Sequence, residues 1–156
     1  MKKTLVIVLS LSALALAKSA VSIDLNSYQE ISKKDKSGKV VKVWSKVTKV
    51  VPKTTIKYVD TITNSSTETI KNVKVTNPID KNLIFLKGSV KSKAKFSVKY
   101  SVDGGKSFKE PSKLFIKSKD GKKVLATAKD YNALLVNINE IPANSKVKVE
   151  YKVKVK

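Results

Sequence analysis

The chain contains no cysteine, no histidine and no arginine; all 33 of its basic residues are lysine. Each absence removes a chemistry. Without Cys there is no disulfide, no thiolate nucleophile and no thiolate metal ligand. Without His neither a Ser-His-Asp nor a Cys-His arrangement can be assembled, and imidazole metal sites are gone as well. Without Arg no planar guanidinium can grip phosphate or carboxylate at two points. Aromatics are few, with one Trp, five Tyr and four Phe. Carboxylates, Lys, Ser, Thr and Tyr remain, so the expectation is a protein that is not an enzyme, with no catalytic residues, no cofactor and no metal-binding residues. A hydrolase built on two of the twelve carboxylates is the weakest reading, because it requires two of them close in space.

The first residues read as targeting. Lys2 and Lys3 form a positive start, residues 4–16 are a short apolar stretch, and Ala15-Leu16-Ala17 offers small residues where signal peptidase cuts. The run is well short of the ~20 apolar residues a membrane-crossing helix needs. It therefore fits a cleaved signal better than a transmembrane anchor, and no Cys follows it to take a lipid. The expected organisation is a signal peptide at 1–17 and a single domain at 18–156. The product is exported, to the periplasm, the cell surface or the medium, with no transmembrane anchor after cleavage.

Charge is the most visible surplus. The formal net charge is +21, and taking away Lys2 and Lys3 with the signal lowers it to +19. Such a field attracts anionic polymers and surfaces. Lysine used to the exclusion of arginine also reads as compositional bias, and lysines alternating with valines are what the solvated face of a strand looks like. Long exposed lysines discourage edge-to-edge aggregation of sheets. Specific nucleic-acid binding needs Arg or stacking rings beside the Lys. The few aromatics read mostly as inward strand positions, so no specific nucleic acid is expected as a partner.

The period of the hydrophobic pattern fixes the fold class. Residues 146–156 read KVKVEYKVKVK, with Val147, Val149, Tyr151, Val153 and Val155 on one side and charge on the other. A period of two is a β-strand. The same alternation marks Val21, Ile23 and Leu25; an extended run at 39–51 with Trp44; residues 54–63 with Ile56, Tyr58 and Ile62; and residues 70–76 with Val73 and Val75. After a short apolar run at 83–86 it returns in Phe96, Val98, Tyr100 and Val102, then at 114–117, 124–126 and 134–141. Lys33 to Gly38, Pro52, Asn64-Ser65-Ser66, Asn77-Pro78, Asp103-Gly104-Gly105, Asp120-Gly121 and Pro142-Ala143-Asn144 supply the turns. Residues 127–131 suit one helical turn. About eight to ten short strands predict an all-β antiparallel sandwich.

Several of these segments, taken in order, resemble a family. Val51-Pro52, Ile56-Lys57-Tyr58, Thr63-Asn64 and the run from Ile70 through Asn77-Pro78-Ile79 are similar to the core of a prokaryotic surface-protein repeat known as domain of unknown function eleven. Phe85 to Ser89, the Ser-Val-Asp-Gly-Gly-Lys hairpin within 96–108, and residues 141–156 continue the likeness. It covers most of the chain from about Ser22. Three places depart from the pattern: Lys53 stands for the usual Gly, Asn77 for the usual Asp, and an aromatic is missing within 134–138. The resemblance implies an immunoglobulin-like domain at the cell envelope and carries no catalytic residues to transfer.

Local motifs have plain structural readings. Ser101 to Phe108 fits an Asp-box pattern, which is a hairpin wherever sugar-gripping arginines are lacking. Asn64-Ser65-Ser66 is a formal glycosylation sequon and more simply a turn. Asp103 and Asp120 sit at hairpin tips outside any calcium-loop pattern. Asp60 is the unexplained polar position, because it shares a face with Ile56, Tyr58 and Ile62. An unpaired buried carboxylate is costly there, so an edge or bulge is expected to carry it to solvent. The sharper alternative is a cation or partner site at Asp60.

Two function classes follow. One is a non-catalytic envelope module, structural or interacting with other envelope proteins or with copies of itself. It would self-assemble by strand addition along an edge formed by Val147, Val149, Tyr151, Val153 and Val155. The other is a periplasmic or surface module that binds anionic cell-surface polymers through its Lys-rich strand faces.

Overall fold

The computed structural model describes residues 20–156 together with the backbone of the two-residue strand Val6–Ile7; the signal-peptide reading of 1–17 otherwise lies outside the described residues. In chain order the strands are β1 (Val6–Ile7), β2 (Val21–Lys34), β3 (Val40–Lys46), β4 (Thr55–Asn64), β5 (Ile70–Pro78) and β6 (Leu83–Phe85). They continue with β7 (Lys91–Ser92), β8 (Phe96–Ser101), β9 (Phe115–Lys117), β10 (Lys123–Leu125), β11 (Ala133–Ile141) and β12 (Ser145–Val155). Among the described residues there is no α-helix, only a single 3-10 turn at Pro111–Lys113.

Two sheets pack face to face as an all-β sandwich. The larger runs β3-β2-β4-β12-β6 with β7 also beside β12; the smaller runs β1-β5-β11-β8; β9 and β10 form a separate hairpin. Every pairing is antiparallel except that of β1, which lies parallel to β5 at Lys74 and Val75. Alternation decides which side chains meet between the sheets. Ile56, Ile62, Phe85, Val149, Tyr151 and Val153 come from the larger sheet, and Val73, Val75, Leu134, Val136, Ile138 and Ile141 from the smaller. Burying each such side chain is worth about 1.5–3 kcal/mol.

Of the links that carry the chain from one sheet to the other, β4 to β5 and β11 to β12 are pinned by one side chain. Asn64, at the end of β4, is fully buried. Its amide nitrogen donates to the carbonyls of Glu68 (2.8 Å), Ile141 (3.1 Å) and Pro142 (2.9 Å). Its carbonyl oxygen accepts from the Ser66 amide (3.0 Å) and the Ser66 hydroxyl (2.7 Å). The sequon reading therefore fails in the folded protein, since this nitrogen is enclosed and engaged.

Local differences from the sequence reading have physical causes. Eleven strands lie between Val21 and Val155 where eight to ten were expected; the addition is β7, two residues long and too short to show alternation. β2 runs on to Lys34 although its apolar pattern stops at Leu25, because its second half leaves β4 to pair with β3. There Ile31 is exposed, as Leu25 already is opposite Asp60, so no burial writes a pattern into the sequence. β3 stops at Lys46 rather than near Val51. Residues 127–131 form a hydrogen-bonded turn in place of a helical one: the Asp130 amide donates to the Thr127 carbonyl (2.9 Å), and the Asp130 carboxylate accepts from the Thr127 amide and hydroxyl.

Lys53 occupies a position where glycine is the easier residue. Lys53 sits at φ 71°, in the left-handed region that favours glycine, with its amide donating to the Val155 carbonyl (2.9 Å). The backbone keeps the turn that a Gly would take without strain.

Candidate functional site

The expected strand-addition edge is the first correction. β12 is a central strand, paired with β4 from Ser145 to Lys154 and on its other side with β6 over Val153–Val155 and with β7 over Val149 and Glu150. Between those stretches the Leu86 amide donates to the Lys152 carbonyl, and the Lys152 amide donates to the Ser89 hydroxyl. Val149, Tyr151 and Val153 are buried in the core, with Val147 and Val155 half-buried against it. A strand this regular and apolar is held in the middle of the sheet by the burial of its valines, not at an edge.

Asp60 is the second correction. It is only 1% exposed and lies on β4 between β2 and β12, with neither an edge nor a bulge to bring it to water. Its carboxylate accepts from the Asn77 side-chain amide of β5 at 2.7 Å, which ties one sheet to the other. Burial pushes its pKa above the usual carboxylate range, opposed by that hydrogen bond. The partner explains why Asn stands at 77, because an Asp there would set two carboxylates together in the core, whereas Asn supplies a donor. Tyr151 stacks on its cross-strand neighbour Tyr58 with ring centres 5.2 Å apart, and its hydroxyl pKa is raised by burial first and then by Asp60. A cation or partner arriving from solvent does not meet a group so enclosed.

The hairpin residue Asp103 is consumed by its own loop. The Asp103 carboxylate accepts from the Ser101 hydroxyl (2.6 Å), the Ser107 amide (2.9 Å) and the Ser107 hydroxyl (2.6 Å), bonds that hold its pKa well below the ordinary value. Among the described residues no three acidic side chains gather closely enough to hold a metal ion, and no helix is long and apolar enough to cross a membrane.

The outward face of the larger sheet carries what the sequence reading missed. Since Ile56, Tyr151 and Val153 point inward, their neighbours Lys57, Lys152 and Lys154 point outward. Register then aligns Lys46, Tyr28, Lys57 and Lys152 as one row across four strands, with Trp44, Glu30, Thr55 and Lys154 near the next. Trp44 and Tyr28 are therefore surface residues, contrary to the inward placement expected for most aromatics. The Lys57 ammonium lies 4.6 Å from the centre of the Trp44 ring and 5.6 Å from that of Tyr28, and the Lys152 ammonium lies 5.1 Å from Trp44. Lys57 and Lys152 face each other directly across β4 and β12, an arrangement that like charges disfavour. The ring that both approach offsets part of the repulsion, as does Glu150 at 3.6 Å from Lys57.

The same face deepens into a groove where β7 meets β12. Its volume is ≈570 Å³, and Lys91, Lys93, Lys146, Lys148, Glu150 and Val59 are among its lining residues. Four ammoniums against one carboxylate make it strongly cationic. The signal that could have revealed this face was the spacing of Tyr28 and Trp44 relative to the lysines, legible only once the register of β2, β3 and β4 is known.

Compared with known proteins, the chain matches no protein-family model, no curated protein and no solved structure.

Proposed function

We propose that this is an exported, non-catalytic module of the cell envelope that binds an anionic polymer through the outward face of its larger sheet. The resemblance to envelope repeat domains and the signal-like start support the location. The observation that carries the binding is the in-register row Lys46-Tyr28-Lys57-Lys152, with Trp44 beside it, continuing into the lysine-lined groove. Lysines on such a face bind polymer by displacing its counterions, so affinity falls steeply with salt. The test is a set of binding isotherms for polyanions between 50 and 200 mM salt. The expected outcome is a loss of roughly tenfold or more over that range; no binding at low salt overturns the reading.

A second reading, assembly by strand addition, draws support from β5 and no longer from β12. The open side of β5 is taken by Val6–Ile7, residues that signal cleavage would remove. In the processed chain Lys74 and Val75 then lack that neighbour, and a strand from an envelope protein or another copy has a place to pair. Sedimentation of chains starting at Lys18 and at Met1 tests this. Self-association only of the shorter chain supports it, and identical monomers overturn it.

A further inference from the structure

From the composition of the same face we infer that the polymer is an acidic polysaccharide, whose carboxylate seats between Lys57 and Lys152 while its sugar ring packs on Trp44. This rests on the polyanion reading above and names its ligand.

Three observations separate a sugar polymer from nucleic acid. First, the cations are all ammoniums, point charges that pair with single carboxylates and cannot fork around a phosphate at two points. Second, the face carries one Trp and one Tyr, not the succession of rings on which neighbouring bases stack. Third, neutral hydrogen-bonding side chains share the face with the lysines: Asn26, Thr55, Thr61 and Thr63 occupy outward positions on β2 and β4, and hydroxyl and amide groups of this kind match sugar hydroxyls.

The local geometry gives the carboxylate a reason to bind. Lys57 and Lys152 are cross-strand neighbours of like charge whose ammoniums converge on one indole. Glu150, 3.6 Å from Lys57, is the acidic group paired with this cluster, and Glu30 is drawn off by Lys42 at 3.0 Å. An oxyanion between the two ammoniums removes their repulsion and draws them off the ring. The indole is then open to the apolar C–H face of the sugar that bears the carboxylate.

Trp44 is the only tryptophan in the chain, which makes the site its own reporter. The full chain is titrated with oligogalacturonate, with single-stranded oligothymidylate and with neutral dextran at one salt concentration, following Trp44 emission and, independently, calorimetric binding. Oligogalacturonate is expected to shift the emission and to bind at least about tenfold tighter than oligothymidylate, with dextran not binding. Trp44→Ala should weaken oligogalacturonate binding about tenfold by calorimetry, and Trp44→Tyr, which keeps a ring, should restore most of it. Thermal melts of both variants establish that they remain folded. Equal affinity for the two anions, or unchanged oligogalacturonate affinity in Trp44→Ala, overturns the inference while leaving polyanion binding intact. Binding of none of them overturns the broader reading with it.

Discussion

The two faces of the larger sheet are written by the same strands in alternate residues, yet they do opposite things with charge. Inward, Ile56, Ile62, Val149, Tyr151 and Val153 leave room for one carboxylate, Asp60, which is enclosed and given an amide partner from the other sheet. Outward, lysines stand in rows with, among the described residues, no carboxylate ion-paired to most of them, and where two converge both approach one indole. The inner face spends its polar groups on holding the sheets together. The outer face carries more positive charge than its carboxylates Glu30 and Glu150 offset, and an excess of one sign draws opposite charge to it.

That contrast can be broken from the inside first. Ile62→Ala, at a fully buried position, should cost about 2–5 kcal/mol by denaturant unfolding, through lost burial and the cavity left behind. Asn64→Ala should cost roughly 3 kcal/mol in the same measurement, because the buried carbonyls it serves lose their donor. An Asn64 variant as stable as the parent contradicts the pinned-link account.

Asp60 sharpens the comparison through pH. Its folded pKa is raised above the unfolded value by burial, so the folded state holds the proton more tightly. Stability from this group is therefore fully present below the unfolded pKa and declines as pH rises through the folded one. Asp60→Asn should remove that decline and raise stability at pH 7 by about 1 kcal/mol, a few degrees in Tm. The gain should shrink toward pH 4. Asp60→Leu behaves differently because it strands the Asn77 amide, and it should destabilise unless Asn77 is replaced as well.

The smallest effects on stability belong to the surface. Lys53→Gly should stabilise by about 0.5 kcal/mol, the left-handed strain relieved less the extra freedom of an unfolded glycine. Lys57→Ala should cost no more than about 1 kcal/mol, from lost packing of its stem and its contact with Trp44, while weakening polyanion binding several-fold, read by calorimetry at low salt.

How much of this was legible beforehand follows from what burial writes into a sequence. Strands whose inner face meets the opposite sheet, such as β4, β5, β11 and β12, announce themselves by period. The far half of β2, beyond the cover of the smaller sheet, carries no such pattern. β12 was recognised as a strand and misplaced as an edge, since periodicity reports which side chains are buried and is silent about which backbone is paired. Asp60 stood out as an anomaly, but its partner Asn77 lies seventeen residues away on the other sheet. The candidate site was least legible, because Tyr28, Trp44, Lys57 and Lys152 belong to four strands and only register aligns them.

The central claim is that the outer face of the larger sheet binds acidic polymer by its arrangement and not by the net charge of the molecule. Two double variants of equal charge test it most directly: Lys57→Ala with Lys152→Ala on that face, and Lys71→Ala with Lys99→Ala on strands β5 and β8 of the smaller sheet. Affinity for oligogalacturonate as a function of salt is the measurement. The account predicts at least a tenfold loss and a salt slope shallower by about 2 for the first pair, and near-parental affinity for the second. Equal losses in both pairs would contradict it.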